Sequence, residues 1–254
     1  MESVGIVVPA YEPDVEVLVE YLDSLRETLD PEQLRVELDA APASTVDALR
    51  ETDATVHVAS ERRGKGAAVT AGFEALSTDV LVFADADGST DAESLSSVVD
   101  AVVDGGADLA VGSRRHPDAE VTSHQTFARR FLGDGFAWLA GRLLAVDLYD
   151  YQCGAKAITA DSWGRVREHL YEPGFAWDVE LVAIAGALGE RVAEVPLTWE
   201  DKPGSTVSPI RTPFALFSAL LAARHRAKLL SDSRLHAAIA ARRENPTSLV
   251  ERER

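Results

Sequence analysis

The stretch Phe83-Ala84-Asp85-Ala86-Asp87-Gly88-Ser89 sets two carboxylates one residue apart directly after an apolar run, Val80-Leu81-Val82-Phe83. The run reads as a buried strand, and alternation along it points Asp85 and Asp87 to one side. Two hard oxygen donors at a strand's C-terminal end suit Mg²⁺ or Mn²⁺ carrying a diphosphate. That is the equipment for using a nucleotide-activated donor. The competing reading is a solvated acidic turn in an acidic chain, so the surroundings must decide.

Other chemistry-bearing residues recur at comparable places. Gly64-Lys65-Gly66 opens a helix and could cradle phosphate with backbone N–H groups and one cation; a solvated turn is the alternative. The spacing is not that of a Walker loop, and no Gly-x-Gly-x-x-Gly follows the first strand, which disfavours a dinucleotide dehydrogenase. Gly112-Ser113-Arg114-Arg115 offers an arginine fork for phosphate, or a surface charge. Arg129 and Arg130 invite the same two readings. Trp177-Asp178-Val179-Glu180 sets two acids at a helix start, where a dipole role for Asp178 competes with a site role. The histidines have no metal-ligand spacing. Cys153, the single cysteine, has no base partner and reads as a small packed residue.

The elements that position these residues follow from periodicity. Strands are expected at 4–8, 35–38, 55–59, 80–83, 109–112 and 191–199, with a turn into a strand at 151–158. Helices are expected from a cap at Asp14 to 29, from 45, from 66 to 76, at 91–103, at 127–145 and at 177–188. Alternating strands and helices imply an α/β fold with a mostly parallel sheet covered on both faces. Tyr11, Asp39, Lys65, Asp85, Asp87 and Arg114 all lie just after strands, where such sheets bind ligands.

With 254 residues the chain can bury a large core, and its net charge of −17 disfavours nucleic acid as a partner. Lysine occurs only at Lys65, Lys156, Lys202 and Lys228, a composition that fits adaptation to high salt and makes each lysine notable. One cysteine allows no internal disulfide and fits a reducing cytoplasm. Met1-Glu2-Ser3 runs into the first strand without a targeting segment. Residues 211–254 hold nine Lys/Arg against four Asp/Glu, a basic tail on an acidic body. The apolar run at 214–223 is too short to cross a bilayer of ~30 Å. Followed by Arg224, Arg226 and Lys228, it fits a helix lying on an anionic membrane surface, or one packed on its own domain or on a second copy.

Motifs in order along residues 4–210 carry a resemblance. They are Val8-Pro9-Ala10-Tyr11, Arg63-Gly64-Lys65-Gly66-Ala67-Ala68, the Asp85–Asp87 motif and Gly112-Ser113-Arg114. Asp150-Tyr151-Gln152-Cys153-Gly154-Ala155-Lys156, Phe175-Ala176-Trp177-Asp178-Val179-Glu180-Leu181 and Trp199-Glu200-Asp201-Lys202-Pro203-Gly204-Ser205 continue the series. Together they resemble family 2 glycosyltransferases of the GT-A fold, and among them the dolichyl-phosphate glucose and mannose synthases.

The resemblance implies a catalytic domain over 1–210 followed by the basic helical tail. Pro9, Tyr11 and Asp39 would hold base and ribose; Asp85, Ala86 and Asp87 would hold ribose, metal and diphosphate. Arg114 with Arg129 or Arg130 would meet a phosphate, and Gln152, Lys156, Asp178 and Glu180 would line the sugar and acceptor pocket. Asp87 and Asp178 are the expected catalytic residues. The chain departs from the family at Glu12-Pro13-Asp14, where Glu12 or Asp14 replaces a family acid. It departs again at Ala40-Ala41-Pro42 and at Thr206, where Lys202 is expected to supply a missing lysine's charge.

The implied reaction moves a hexose from a nucleoside diphosphate sugar to dolichyl or polyprenyl phosphate, with Mg²⁺ or Mn²⁺. UDP-glucose is favoured and GDP-mannose is the alternative. A sugar nucleotidyltransferase and a non-catalytic nucleotide-binding protein are the rival classes. The expected location is the inner face of the cell membrane, peripherally bound, with self-association open.

Overall fold

The computed structural model of the protein describes residues 2–121, 127–199, 211–231, 233, 236 and 247–252, with side chains for all of these but 127–132 and 211–215. Its strands are β1 (Val4–Tyr11), β2 (Gln33–Asp39), β3 (Thr55–Ala59), β4 (Val80–Ala84), β5 (Leu109–Ser113), β6 (Glu120–Val121), β7 (Ala155–Thr159), β8 (Val192–Pro196) and β9 (Thr198–Trp199). The helices are α1 (Val15–Leu29), α2 (Ala43–Arg50), α3 (Lys65–Ala75), α4 (Ala92–Val103), α5 (Phe127–Leu143), α6 (Ala160–Val166), α7 (Trp177–Leu188), α8 (Arg211–Leu230) and, as a final short turn, α9 (Leu249–Arg252).

Seven strands form one sheet in the order β3-β2-β1-β4-β7-β5-β8, and β6 pairs with β9 in a second. Every pairing in the large sheet is parallel except those of β7, which runs antiparallel to β4 and β5. Side-chain alternation divides the core between the two faces. Ile6, Val8, Val82 and Ala84 pack toward Leu18, Leu22, Leu95 and Val98 of α1 and α4. Val7, Leu81 and Phe83 pack toward Val69 and Phe73 of α3 and toward Trp177 and Leu181 of α7. β4 is buried along its whole length, as a central strand covered on both faces must be.

Helix starts follow local chemistry. Asp14 caps α1 by accepting from Val17 N at 3.3 Å, and Asp91 caps α4 by accepting from Ser94 N at 2.6 Å. The strand expected over 191–199 is two strands: β8 ends at Pro196, and β9 joins the other sheet. Between them Leu197 is buried, donating its N–H to Ser113 O and accepting from Glu120 N. The unanticipated α6 has its own cap, Thr159, which accepts from Ser162 N. Strand β6 spans two residues, too short for a period to be read.

Helix α8 packs against α7 and touches α5, burying Leu220 and Ala223. In α9, Leu249 and Val250 are buried, and Leu249 N donates to Leu170 O at 2.8 Å.

Candidate active site

Register brings the motifs together. Tyr11 lies opposite Asp39, and Asp39 opposite Ala59, so β1, β2 and β3 end level with one another. Ala84 lies opposite Ala155 at the start of β7, and Asp85 N donates to Gly154 O at 2.9 Å. Because β7 is antiparallel, its beginning meets the C-terminal ends of its neighbours. Residues 150–154 therefore face Asp85 and Arg114.

The expected alternation of Asp85 and Asp87 does not operate, since β4 stops at Ala84 and a turn follows. Gly88 takes a left-handed φ of 61°, and Asp87 Oδ1 accepts from Ser89 N at 2.9 Å. Asp85 Oδ1 is 2.9 Å from Lys65 Nζ, the Asp85 side chain being 40% exposed and that of Lys65 only 9%. Behind this pair Asp178 is buried, its Oδ2 3.0 Å from Lys65 Nζ and its Oδ1 2.6 Å from Lys156 Nζ. Lys156 is also buried and donates to Cys153 O at 2.6 Å. Both ammonium groups lie over the Phe83 ring, at 4.9 and 5.5 Å from its centroid.

Burial works to raise the Asp178 carboxyl, but the two lysines outweigh it and hold Asp178 below the usual carboxylate range. Burial likewise works against the Lys65 ammonium, and Asp178 and Asp85 overcome it, so Lys65 stays charged. Asp178 makes no side-chain cap: the α7 N-cap is Ala176, and the Asp178 side chain, in the first turn, is buried against the two lysines. Cys153 is buried with its thiol pushed up to about 11 by burial, which suits a packed residue and not a nucleophile.

Asp39 holds a loop. Its Oδ2 accepts from Arg63 N at 2.8 Å and Gly64 N at 2.9 Å, and its Oδ1 accepts from Arg63 Nε at 2.8 Å. Buried Glu37 receives Arg35, Arg63 and His57 at 2.6 to 2.8 Å. Arg63 and Asp39 stand in separate motifs, and nothing in their spacing signals this link or the Glu37 cluster. Nearby, Arg62 lies 3.9 Å over the exposed Tyr11 ring. Glu12 and Ala40, the residues after β1 and β2, hold left-handed φ values of 48° and 50°. Backbone strain of this kind collects at functional sites.

Arg114 pairs with buried Asp150 through two bonds, Nε–Oδ2 at 2.7 Å and Nη2–Oδ1 at 3.1 Å. Burial would raise Asp150, but Arg114 holds it below the usual range. Arg114, Arg115, Tyr149 and Gln152 line one small pocket with Gly133 and Phe136 of α5. Of the arginines expected to join Arg114, the side chains of Arg129 and Arg130 lie outside the described residues, as do Lys202 and Thr206.

Glu180 is buried and accepts from the backbone N–H groups of Tyr171 and Glu172, and from Arg226 of α8. Burial pushes its carboxyl up despite these partners. No feature of the sequence announced Arg226 as its partner. Asp150, by contrast, stands within a quoted motif.

The donor set suits a divalent cation. Asp85 and Asp87 supply hard carboxylate oxygens at the open end of the sheet, and Gly154 leaves the room the Asp85 carboxylate fills, since a Cβ there would overlap it. Among the described residues no three acidic, histidine or cysteine side chains converge as a metal cage. The protein would then provide part of a coordination sphere that water and phosphate complete.

A mostly parallel sheet with one reversed strand, and an Asp-x-Asp turn where that strand begins, define the GT-A class of glycosyltransferase folds. The sequence model described as glycosyl transferase family 2 matches residues 5–142, and the chain belongs to that family. It is 32% identical over 230 residues to the glycosyltransferase AglD of Haloferax volcanii, spanning 86% of this chain and 36% of that protein. Identity is 34% over 152 residues to the mouse dolichyl-phosphate beta-glucosyltransferase, spanning 58% of this chain and 47% of the relative. The undecaprenyl-phosphate mannosyltransferase of Micrococcus luteus is 30% identical over 205 residues, covering 77% of this chain and 83% of the relative. The chain thus spans about a third to a half of the first two relatives' length.

Among solved structures, mannosyl-3-phosphoglycerate synthase of Rubrobacter xylanophilus superposes with a TM-score of 0.68 at 16% identity, covering 92% of this chain and 76% of that one. Glucosyl-3-phosphoglycerate synthase of Mycobacterium tuberculosis, solved with Mn²⁺, UDP and glucosyl-3-phosphoglycerate, superposes at 0.65 and 16%, covering 87% and 80%.

Proposed function

We propose that the chain transfers a hexose from a nucleoside diphosphate sugar, UDP-glucose first, to the phosphate of a dolichyl or other polyprenyl lipid. The observation that carries this reading is the meeting of the Asp85–Asp87 turn and Lys65 with the reversed start of β7. That start brings Gln152 and the Arg114–Asp150 pair to the same edge. Relatives named for transfer to dolichyl and undecaprenyl phosphate support the acceptor class. The mannosyltransferase relative, matched over most of its length, favours GDP-mannose as the second reading.

In this proposal Pro9, Tyr11, Glu12 and Asp39 border the nucleotide. Asp85 and Asp87 hold Mg²⁺ or Mn²⁺, whose chemistry is stabilisation of the departing diphosphate. Lys65 adds a fixed positive charge beside them. A phosphate monoester is already anionic at neutral pH and needs no strong base. The residues' task is therefore alignment: Arg114, Arg115 and Gln152 direct the acceptor oxygen at the anomeric carbon. In-line displacement inverts that centre, giving a β-linked product from an α donor. Asp178, ionised and shared by two lysines, orients Lys65 and Lys156 instead of moving a proton.

A lipid acceptor calls for contact with a membrane surface. No described helix is long and apolar enough to cross a membrane. Trp138 of α5 and Phe217 and Leu221 of α8 are exposed, on helices that touch each other, and we assign peripheral docking to them.

The test is calorimetric binding of UDP and GDP with and without Mn²⁺, followed by transfer from the preferred sugar nucleotide to polyprenyl phosphate. Metal-dependent UDP binding with transfer is expected, and Asp87→Asn should abolish both while the protein stays folded. Turnover retained in Asp87→Asn would sink the metal assignment; release of pyrophosphate from a nucleoside triphosphate would point to a nucleotidyltransferase.

A further inference from the structure

We propose that Arg226, on a helix beyond the catalytic region, is a positioning residue: through Glu180 it holds segment 171–174 against the start of α3, whose first residue is Lys65. The proposal extends the function above and rests on that reading only in its nucleotide-binding arm.

The chain of contacts is short. Glu180 is 1% exposed, and a carboxylate so buried must be satisfied at both oxygens. Its Oε2 accepts from Tyr171 N and Glu172 N, each at 2.8 Å. Its Oε1 is met by the Arg226 guanidinium, which also lies 4.7 Å over the Tyr171 ring. The far side of the same segment touches the site: Pro173 O accepts from Ala67 N at 3.1 Å in the first turn of α3. A Cβ at Gly64 would meet Pro173 O at 2.6 Å, and one at Gly66 would run into Glu172 O and the Trp177 side chain. These glycines let the 172–173 backbone lie directly on the start of α3, with Lys65 between them. The Leu249 N–H bond to Leu170 O braces the neighbouring residue. Without Arg226 the Glu180 charge has, among the described residues, no ion-pair partner of opposite sign. The carboxylate must then reach water or take up a proton, and either change disturbs the segment it anchors.

Amide hydrogen exchange read residue by residue tests this, on the full chain and on Arg226→Met and Arg226→Lys. In Arg226→Met the amides of Tyr171, Glu172 and Ala67 should exchange ~10-fold faster or more, while those of Ile6 and Val82 in the sheet keep their rates. UDP–Mn²⁺ binding should weaken in parallel, and Arg226→Lys should recover most of both effects. Should Arg226→Met not fold, Arg226→Gln, which keeps a donor and loses the charge, is read at the same amides. Unchanged exchange at the three amides, or a rise of equal size in the sheet, would overturn the proposal. If the unaltered protein binds no nucleotide, the functional reading fails while the exchange comparison still decides this one.

Discussion

Asp178 and Lys156 form a pair withdrawn from water, each 2% exposed or less at the side chain, and such a pair is costly to break from one side. Asp178→Asn leaves the Lys156 ammonium with the Cys153 carbonyl and, among the described residues, no buried ion-pair partner. We predict a loss of ~3–5 kcal/mol in urea unfolding, and recovery of most of it when Lys156→Met is added. Full stability in the single variant would contradict the pairing. Asp150 makes a pH-dependent contribution. Its folded pKa is depressed, so that contribution is present above the unfolded value of ~3.9 and disappears as pH falls through the folded value. Asp150→Asn should therefore destabilise the protein at pH 7 and flatten the fall in stability below about pH 4, as followed by acid titration of the near-UV signal. An equally steep fall in the variant would remove Asp150 as its source.

At the scale of elements, the decisive feature is the reversal of β7, which delivers a strand's beginning to the edge where its neighbours end. Gly154 is the point of closest approach, and the atoms a Cβ would strike there are those of the Asp85 carboxylate. A side-chain terminus can move aside, so Gly154→Ala should fold with a loss of ~1–3 kcal/mol. The displaced carboxylate should weaken Mn²⁺–UDP binding, measured by calorimetry, far more than it weakens the fold. Unchanged binding would show that Asp85 is free to act from another position. Gly64 and Gly66 serve the same principle at the start of α3, where the 172–173 backbone and the Trp177 side chain lie on them.

Over the whole molecule, whose net charge is −17, an acidic body carries a basic C-terminal region, and α8 of that region is built onto α7. Buried Leu220 and Ala223 face inward, whereas Phe217 and Leu221 are exposed. Replacing both exposed residues, Phe217→Ser with Leu221→Ser, should leave thermal unfolding nearly unchanged. Sedimentation with anionic lipid vesicles should fall several-fold, most visibly at high salt, where basic side chains attract the surface less. Undiminished vesicle binding would move the docking surface elsewhere. A change in oligomeric state instead would assign these residues to contacts between copies of the chain.

Residue order was enough to place most elements and the motifs at their ends, because buried strands and capped helices obey local periodicity. Val80–Ala84 needed only its apolar run, and Asp14 announced the helix it caps. The family resemblance likewise rested on local motifs in a fixed order, and the family match bears it out. What faces what was decided by tertiary structure alone. The direction of β7, the sharing of Asp178 between Lys65 and Lys156, and the seating of Arg226 on Glu180 join residues 22 to 113 positions apart. Periodicity reports which side of an element is buried. The partner of a buried charge depends on how separate elements pack, and short-range patterning along one chain carries no signal of that.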